Sequence, residues 1–334
     1  AGLMAWLLLT GGSGFLGQRL VAEARRLGYG VLALLRRPEQ APFQPGPGLE
    51  LLAGDLTQPA SLTAAARRLA ALDPQGAAIH AAALISYRRA DRRANFEINL
   101  GGTRALCAAL DQADLGRLLL VSSVAVLGPA PGPDRPLHED SPFAGQGLAS
   151  AYLHSKRAAQ LAAFEWGRGA GRDVRAVLPG AIFGPTRASN TARFLAHLRA
   201  RGAPPWVAPG CLTPVDVDDA AQGTLLALQR GQAGRSYLLV ERPHTLLELY
   251  AAACRVLGQR PPRGAFPPFL WAALVQAARA AERLWTLGPL APDGLELLGK
   301  HFAFDGSRAR RELGFEARPL EALLGRALAA SAGP

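Results

Sequence analysis

The most reactive pair of side chains in this sequence is Tyr152 and Lys156, which are four residues apart. On a helix, such positions lie on one face, one turn from each other. An ammonium beside a phenol stabilises the phenolate and lowers the tyrosine pKa from its usual value of ~10. A phenol of this kind can give or take the proton of a carbonyl or alcohol oxygen. The pair alone also fits an ordinary amphipathic helix, so its meaning depends on the elements around it.

A glycine-rich turn near the start of the chain, Thr10–Gly17, lies between an apolar strand and a helix. Gly11 permits the turn, Gly14 lets the backbone approach a pyrophosphate, and Gly17 allows the helix to pack closely on the strand. The helix N-terminus then offers free N–H groups to the phosphates. This context predicts a dinucleotide site rather than a glycine-rich turn that binds nothing.

The second predicted strand, Val31–Leu35, runs directly into Arg36 and Arg37. An NAD site usually has a carboxylate at this point, whereas an arginine suits the 2′-phosphate of NADP. The sequence therefore favours NADP(H), with NAD(H) as the alternative. Two solvated arginines in an arginine-rich chain would produce the same pattern.

Strand and helix patterns alternate along the chain, which predicts an α/β protein with a Rossmann-type, doubly wound parallel sheet. Strands are predicted at 7–9, 31–35, 49–52, 77–80, 117–121, 173–178 and 236–240. Helices are predicted at 15–27, 59–71, 91–112, 190–201, 216–230 and 269–287, and a further helix carries Tyr152 and Lys156 and runs to about 168. Residues 179–185 read as a loop. We expect residues 1–178 and about 214–243 to form the dinucleotide-binding domain. Residues 179–213 and 244–334 are expected to form a smaller, mainly helical substrate-binding cap.

The composition narrows the class of protein. Of the 334 residues, 49% are apolar, but no apolar run is long enough to span a bilayer. The three cysteines, Cys107, Cys211 and Cys254, are odd in number and lack CxxC spacing. They indicate a reducing cytoplasm, with neither a disulfide framework nor a metal site.

The net charge of +11 would ordinarily suggest a nucleic-acid partner. We do not expect one, because only two of the basic residues are lysines and the arginines are spread along the chain without a binding motif. The exception is a cluster after the fourth strand, which could attract an anionic cofactor or substrate. It consists of Arg88, Arg89, Arg92 and Arg93.

Taken together, the motifs resemble those of the extended short-chain dehydrogenases/reductases, also called the NAD-dependent epimerase/dehydratase family, over essentially the whole chain. The matching segments are TGGSGFLG (10–17), GDL (54–56), HAAA (80–83), NLGGT (99–103), VSSVAVLG (121–128), YLHSK (152–156), PGAIFGP (179–185), VDVDDAA (215–221) and RRELGF (310–315).

The resemblance implies a role for each matching residue. Ser123, Tyr152 and Lys156 would be catalytic, and Lys156 would also bind the nicotinamide ribose. Asp55 would contact adenine. The full set of implied cofactor contacts is Gly11, Ser13, Gly14, Phe15, Leu16, Gly17, Arg36, Asp55, Leu56, Ala81, Ala82, Ala83, Asn99, Ser122, Tyr152, Lys156, Pro179, Ala181 and Ile182. Members of this family often form homodimers, so a homodimer is also expected.

The chain departs from the members that act on nucleotide sugars. Where those commonly have an arginine, a tyrosine and a second arginine, this sequence has Leu178, Leu127 and Leu212. A leucine cannot replace the bidentate contact of an arginine with a pyrophosphate. The pattern is closer to the dihydroflavonol reductase, 3β-hydroxysteroid dehydrogenase and hopanoid-associated branches.

Large apolar residues are concentrated in the predicted cap, and they favour an apolar carbonyl or alcohol substrate, cyclic ones included. They are Phe266, Phe269, Leu270, Trp271, Trp285 and Leu287. The same residues would equally serve as the core of the cap. Membrane-surface binding by residues 266–287 is a further alternative, but the arginines and glutamate in this stretch favour a packed helix.

Three functions compete at this point. The leading hypothesis is an NADPH-dependent reductase that interconverts a ketone or aldehyde with an alcohol. An acyl-CoA reductase would belong to the same class. The alternative is a nucleotide-sugar epimerase or dehydratase that keeps NAD tightly bound. The third is a cofactor-binding sensor without turnover, which the presence of Ser123, Tyr152 and Lys156 disfavours.

Overall fold

The described part of the chain, in a computed structural model, comprises residues 5–169, 171–186, 189–282 and 292–330. The strands are β1 (Trp6–Thr10), β2 (Gly30–Leu35), β3 (Leu49–Ala53), β4 (Ala77–His80), β5 (Arg117–Val121), β6 (Asp173–Pro179), β7 (Ala181–Phe183), β8 (Trp206–Val207), β9 (Cys211–Leu212), β10 (Pro214–Asp216), β11 (Ser236–Leu239), β12 (His244–Thr245) and β13 (Gly264–Ala265). The helices are α1 (Phe15–Arg26), α2 (Pro59–Leu72), α3 (Arg92–Asn95), α4 (Gly102–Gln112), α5 (Ala151–Gly167), α6 (Asn190–Arg201), α7 (Val217–Arg230), α8 (Leu246–Leu257), α9 (Pro268–Glu282), α10 (Pro292–Leu298), α11 (Ser307–Leu313) and α12 (Leu320–Ala330).

Seven parallel strands form the central sheet, in the order β11-β6-β5-β4-β1-β2-β3. Its inner strands are short apolar runs that are buried on both faces, as parallel sheets require. The strand order reverses between β1 and β4, so the carboxyl ends of these strands, Thr10 and His80, border a crevice. The predicted α/β class and doubly wound sheet are confirmed.

Helices cover both faces of the sheet. On one face, Leu20 of α1 and Leu225 of α7 share a buried core with Leu313 of α11. On the other face, Leu69 of α2 and Leu106 of α4 share a second core. Helix α11 thus packs on the sheet layer, although it lies in the range that the sequence assigns to the cap.

A third apolar core holds the helical C-terminal part together. It joins Leu195 of α6, Leu249 of α8 and Leu324 of α12. The segment predicted as a loop at 179–185 contains the short strand β7, which pairs in parallel with β10. This pairing needs Gly180, because a Cβ there would clash with the carbonyl oxygen of Thr213.

Two predicted helices differ in detail from the observed ones. The helix expected at 91–112 contains a π-helical segment, Phe96–Gly101, between α3 and α4. The helix expected at 269–287 corresponds to α9 as far as Glu282, and its last residues lie outside the described ranges. Within those ranges, no helix combines the length and the apolar character needed to cross a bilayer.

Candidate active site

The glycine turn lies directly against the end of β4. Gly11 has a φ of 77°, and a Cβ at this position would stand 2.6 Å from the amide nitrogen of Ala82. Thr10 Oγ1 accepts a hydrogen bond from that nitrogen at 3.2 Å and lies 2.7 Å from His80 Nδ1. Burial lowers the pKa of His80 to about 3, so the ring is neutral and works as a hydrogen-bonding support. The turn and the Ala81–Ala83 segment therefore lie at one place, as predicted.

The N-terminus of α1 is suited to an anion. Its N-cap is Gly14, which has no side chain with which to cap the first amides, and the first turn has no acidic residue. Unpaired amides and the helix dipole attract phosphate at such a position. Ser13 and Gly14 are exposed, so the approach is open. Phe15 faces Gly184, where an added Cβ would be 3.2 Å from the Phe15 ring, and this contact brings the 179–185 segment to the same turn.

The end of β2 places Arg36 near Asp55. Arg36 is exposed, and Asp55 accepts hydrogen bonds from the Thr57 amide at 2.8 Å and the Thr57 hydroxyl at 2.7 Å. These bonds, with a smaller contribution from the positive charge of Arg36, hold the pKa of Asp55 below its usual range. The neighbouring Leu56 packs against Gly102 at the start of α4. An ionised carboxylate and an arginine thus flank this edge of the crevice.

Asn99, in the π-helical segment, ties the site to α5. Its Oδ1 accepts from the Leu84 amide at 2.8 Å, and its Nδ2 donates to the Leu84 carbonyl at 3.0 Å. The same Nδ2 donates to Ser155 Oγ at 3.0 Å. Asn99 thereby fixes the loop after β4 relative to the helix that carries Tyr152 and Lys156. A π-helical segment at this point matches the association of such bulges with functional sites.

Ser123 and Tyr152 meet beside the end of β5. Burial raises the pKa of Tyr152, and a hydrogen bond from the Ser123 hydroxyl acts in the opposite direction. The Lys156 ammonium donates to the carbonyl oxygen of Val121 at 2.9 Å, and burial lowers its pKa to about 8. The sequence led us to expect that Lys156 would lower the pKa of Tyr152; here the direct influence comes from Ser123, and burial outweighs it.

Ser122 precedes Ser123 at the same strand end. Its hydroxyl oxygen is buried and has no hydrogen-bond partner among the described residues. A buried unpaired hydroxyl costs free energy unless a ligand satisfies it. It therefore marks a place where a polar group of a bound molecule would fit.

Sequence reasoning missed Tyr87, which packs edge-on against Tyr152 with ring centroids 5.4 Å apart. Tyr87 lies in the loop after β4, where no periodic pattern or motif identifies it, although its position after HAAA places it at the crevice. The adjoining arginine cluster is partly engaged in ion pairs, because Arg89 pairs with Asp293 at 3.3 Å and Arg93 pairs with Glu97.

Known proteins share both this sequence pattern and this fold. Residues 7–239 match the pattern of the NAD dependent epimerase/dehydratase family. A putative dihydroflavonol 4-reductase from Synechocystis sp. is 31% identical, over 92% of this chain and 88% of its own. Sterol demethylase protein B from Methylococcus capsulatus is 29% identical, over 92% of each chain. The crystal structure of dTDP-glucose 4,6-dehydratase from Streptomyces venezuelae with NAD bound superposes with a TM-score of 0.75 at 25% identity, covering 97% of this chain and 96% of that one.

The chain belongs to the NAD-dependent epimerase/dehydratase family, within the extended short-chain dehydrogenases/reductases. It is therefore an enzyme of the NAD(P)-dependent oxidoreductase class, as the glycine turn and the Tyr152–Lys156 pair indicated.

Proposed function

We propose that this enzyme reduces a ketone or aldehyde to an alcohol, with NADPH as the hydride donor. The observation that carries the proposal is the buried Tyr152 hydroxyl, hydrogen-bonded to Ser123 at the end of β5. Because burial raises the pKa of Tyr152, the phenol is protonated at neutral pH. A protonated phenol is the form that donates a proton to a carbonyl oxygen, as the proposed reduction requires.

Each residue of the site has a proposed part in this reaction. Ser123 holds the substrate oxygen and Tyr152 donates its proton to it. Lys156, fixed by the Val121 carbonyl, keeps a positive charge behind the site and binds the nicotinamide ribose. NADPH, when bound, supplies the hydride to the carbonyl carbon. The phosphates take the N-terminus of α1, and Asn99 positions α5 rather than touching the reacting atoms.

The preference for NADPH is inferred from Arg36. Its exposed guanidinium stands at the end of β2, where a 2′-phosphate would lie. A guanidinium can bind such a phosphate through two parallel hydrogen bonds. The other proposed cofactor contacts include residues of the glycine turn, the Ala81–Ala83 segment and the Pro179–Ile182 segment.

An apolar substrate is proposed from the open side of the site. Tyr87, which packs against Tyr152, is 40% exposed, and Ile85 in the same loop is 58% exposed, so this loop presents apolar surface. The names of two relatives, a dihydroflavonol reductase and a sterol demethylase component, refer to cyclic, largely apolar substrates. We further propose that the cap selects this substrate, that the enzyme acts in the cytoplasm, and that it forms a homodimer.

Calorimetry with NADPH and NADH on the purified protein tests the cofactor assignment, after a check for retained nucleotide. We expect NADPH to bind more tightly, and Arg36→Ala to lose about tenfold or more of that preference while leaving NADH affinity nearly unchanged. Arg37→Ala, the neighbouring exposed arginine, is the matched control. Equal affinities, or no effect at Arg36, would contradict the NADPH assignment.

The second candidate is a nucleotide-sugar epimerase or dehydratase that retains NAD. It is favoured by the family itself and by the structural similarity to the NAD-bound dTDP-glucose 4,6-dehydratase. Tightly retained NAD in the purified protein, with no reduction of ketones or aldehydes, would support this candidate instead.

A further inference from the structure

Helix α9 turns a largely apolar face towards solvent. Phe269 is 72% exposed, Leu270 48% and Leu274 45%. Val275, on the inner side of the helix, is buried, and Trp271 is half-buried. Large apolar side chains grouped in this way on one surface usually mark an interaction site.

This face is rigidly attached to the rest of the molecule. Trp271 Nε1 donates to the Leu295 carbonyl at 3.0 Å, and Arg279 pairs with Glu296 at 2.6 Å, so α9 is held on α10. Phe266, just before α9, packs against Trp271 at 5.7 Å and against Trp206 at 6.2 Å between ring centroids. Trp206 is itself 47% exposed, which extends the apolar surface beyond the helix.

The surrounding charge is positive. From Leu249 to Ala281 the sequence contains four arginines and no acidic residue. Arg255 and Arg279 have ion-pair partners on α12 and α10. Arg260 and Arg263 are exposed on the segment that leads to β13, the strand that pairs with Trp206 and Val207 of β8. Arg263 is fixed there by its amide, which donates to the Pro205 carbonyl at 2.8 Å. Aromatic and aliphatic side chains beside exposed arginines form the pattern of a surface that binds at a lipid interface.

We propose that this surface docks onto an anionic lipid membrane. Its apolar side chains enter the boundary between headgroups and acyl chains, and its arginines contact lipid phosphates. The α9 surface consists of Trp206, Arg260, Arg263, Phe269, Leu270 and Leu274.

The charge pattern favours a membrane over a second copy of the chain. A symmetric dimer through this face would enclose Arg260 and Arg263 of both copies in one interface. Like charges at an interface are unfavourable, whereas anionic headgroups neutralise them.

The α9 surface is connected to the candidate active site through α10. Helix α10, on which α9 rests, contributes Leu297 to the apolar cluster around Tyr152. Its Asp293 pairs with Arg89 in the loop that carries Tyr87. The docking proposal does not rest on the proposed function.

Co-sedimentation of the 334-residue chain with lipid vesicles tests the proposal. We expect it to sediment with vesicles of phosphatidylcholine and phosphatidylglycerol, more weakly with phosphatidylcholine alone, and less as salt is raised. Replacing Phe269, Leu270 and Leu274 by serine should lower the partition coefficient by about tenfold or more. Arg260→Gln with Arg263→Gln should remove the preference for the anionic vesicles.

The matched control is Leu27→Ser, which changes an exposed leucine at the end of α1. It should bind vesicles like the wild type. Circular dichroism on heating establishes that the variants are folded, and NADPH binding, which uses a different surface, should be unchanged in all of them. Absence of wild-type sedimentation, or full binding by the serine variant, would overturn the proposal. A dimer in the ultracentrifuge that the serine variant alone loses would overturn it in favour of a second copy.

Discussion

At the scale of single residues, burial decides how the reactive side chains behave. Tyr152 and Lys156 lie one turn apart, as their spacing requires, but the ammonium is held by the Val121 carbonyl. Burial disfavours the charged form of both groups, and it therefore raises the pKa of the phenol and lowers that of the amine. Ser123, which hydrogen-bonds the phenol, is the residue that opposes this effect.

Removal of the Ser123 hydroxyl should shift the pH dependence of reduction. Reduction requires the protonated phenol, so the rate falls as pH rises through the pKa of Tyr152. Because Ser123 lowers that pKa, Ser123→Ala should move the falling alkaline limb of kcat/KM to higher pH and lower kcat by about 10²-fold. Ser123→Thr, which keeps the hydroxyl, is the control. An unshifted limb in the alanine variant would contradict this role.

Lys156→Met should stabilise the fold and impair cofactor binding. Burial lowers the pKa of Lys156 from 10.5 to about 8, so below pH 8 the folded protein holds a charge that burial disfavours. Removing it should raise the free energy of unfolding at pH 7 by up to about 3 kcal/mol. Between pH 8 and 10.5 the unfolded wild type binds more protons than the folded one, so its stability increases as pH rises. The difference in stability between the methionine variant and the wild type therefore shrinks over this range.

Urea unfolding at pH 7 and pH 9.5 measures this difference. Lys300→Met, which changes the other lysine, reports the effect of losing a lysine outside the site. A methionine variant that is less stable than the wild type at pH 7 would show that the hydrogen bond to Val121 outweighs the cost of burial.

At the scale of elements, close approach of backbones fixes the cofactor crevice. The glycine turn, the end of β4 and the 179–185 segment meet where side chains would not fit. Asn99 lies in the π-helical segment and hydrogen-bonds to Leu84 and Ser155. The sequence predicted a regular helix over 91–112 and did not predict these hydrogen bonds.

Gly17→Ala should damage the glycine turn, whereas Gly12→Ala should leave it intact. A Cβ at Gly17 would overlap the Gly11 carbonyl, so the turn must open. We expect a loss of about 1–3 kcal/mol in stability and at least about tenfold in cofactor affinity. A Cβ at Gly12 would meet Leu35 Cδ2 at 3.4 Å, an ordinary contact, and should be tolerated. Calorimetry and thermal unfolding measure both effects; equal behaviour of the two variants would contradict the argument.

At the scale of the whole molecule, buried carboxylates at the start of α7 pair with Arg326 of the C-terminal helix α12 and with Arg318 just before it. Asp216 is fully buried and pairs with Arg318 at 2.9 Å and with Arg326 at 3.1 Å. Arg318 also pairs with Asp219 at 2.6 Å. Burial raises the pKa of Asp219, and Arg318 opposes this rise. The arrangement is vulnerable, because a buried carboxylate without its partner is costly.

Arg318→Met should destabilise the protein by about 2 kcal/mol at pH 7. The loss should shrink as pH falls towards the raised pKa of Asp219, since protonation removes the unpaired charge. Arg255→Met is the control, because Arg255 and its partner Glu321 are both more than half exposed, and it should change stability by less than about 0.5 kcal/mol. Urea unfolding at pH 7 and pH 5 distinguishes the two, and a pH-independent loss at Arg318 would contradict the role given to Asp219.

Much of the molecule could be predicted from local features. Hydrophobic period and the steric needs of glycine act over a few residues. They predict the α/β class, the seven strands of the central sheet, the glycine turn and the helical position of Tyr152 and Lys156. They miss β7 and β10, because these short strands pair with each other only in the folded chain. The partner of Lys156 lies 35 residues away, and the contact between Tyr87 and Tyr152 joins two distant segments. The exposed face of α9 likewise depends on which helices pack together. These features depend on contacts between segments that come together only in the folded chain. Burial at those contacts shifts the pKa values of Tyr152 and Lys156.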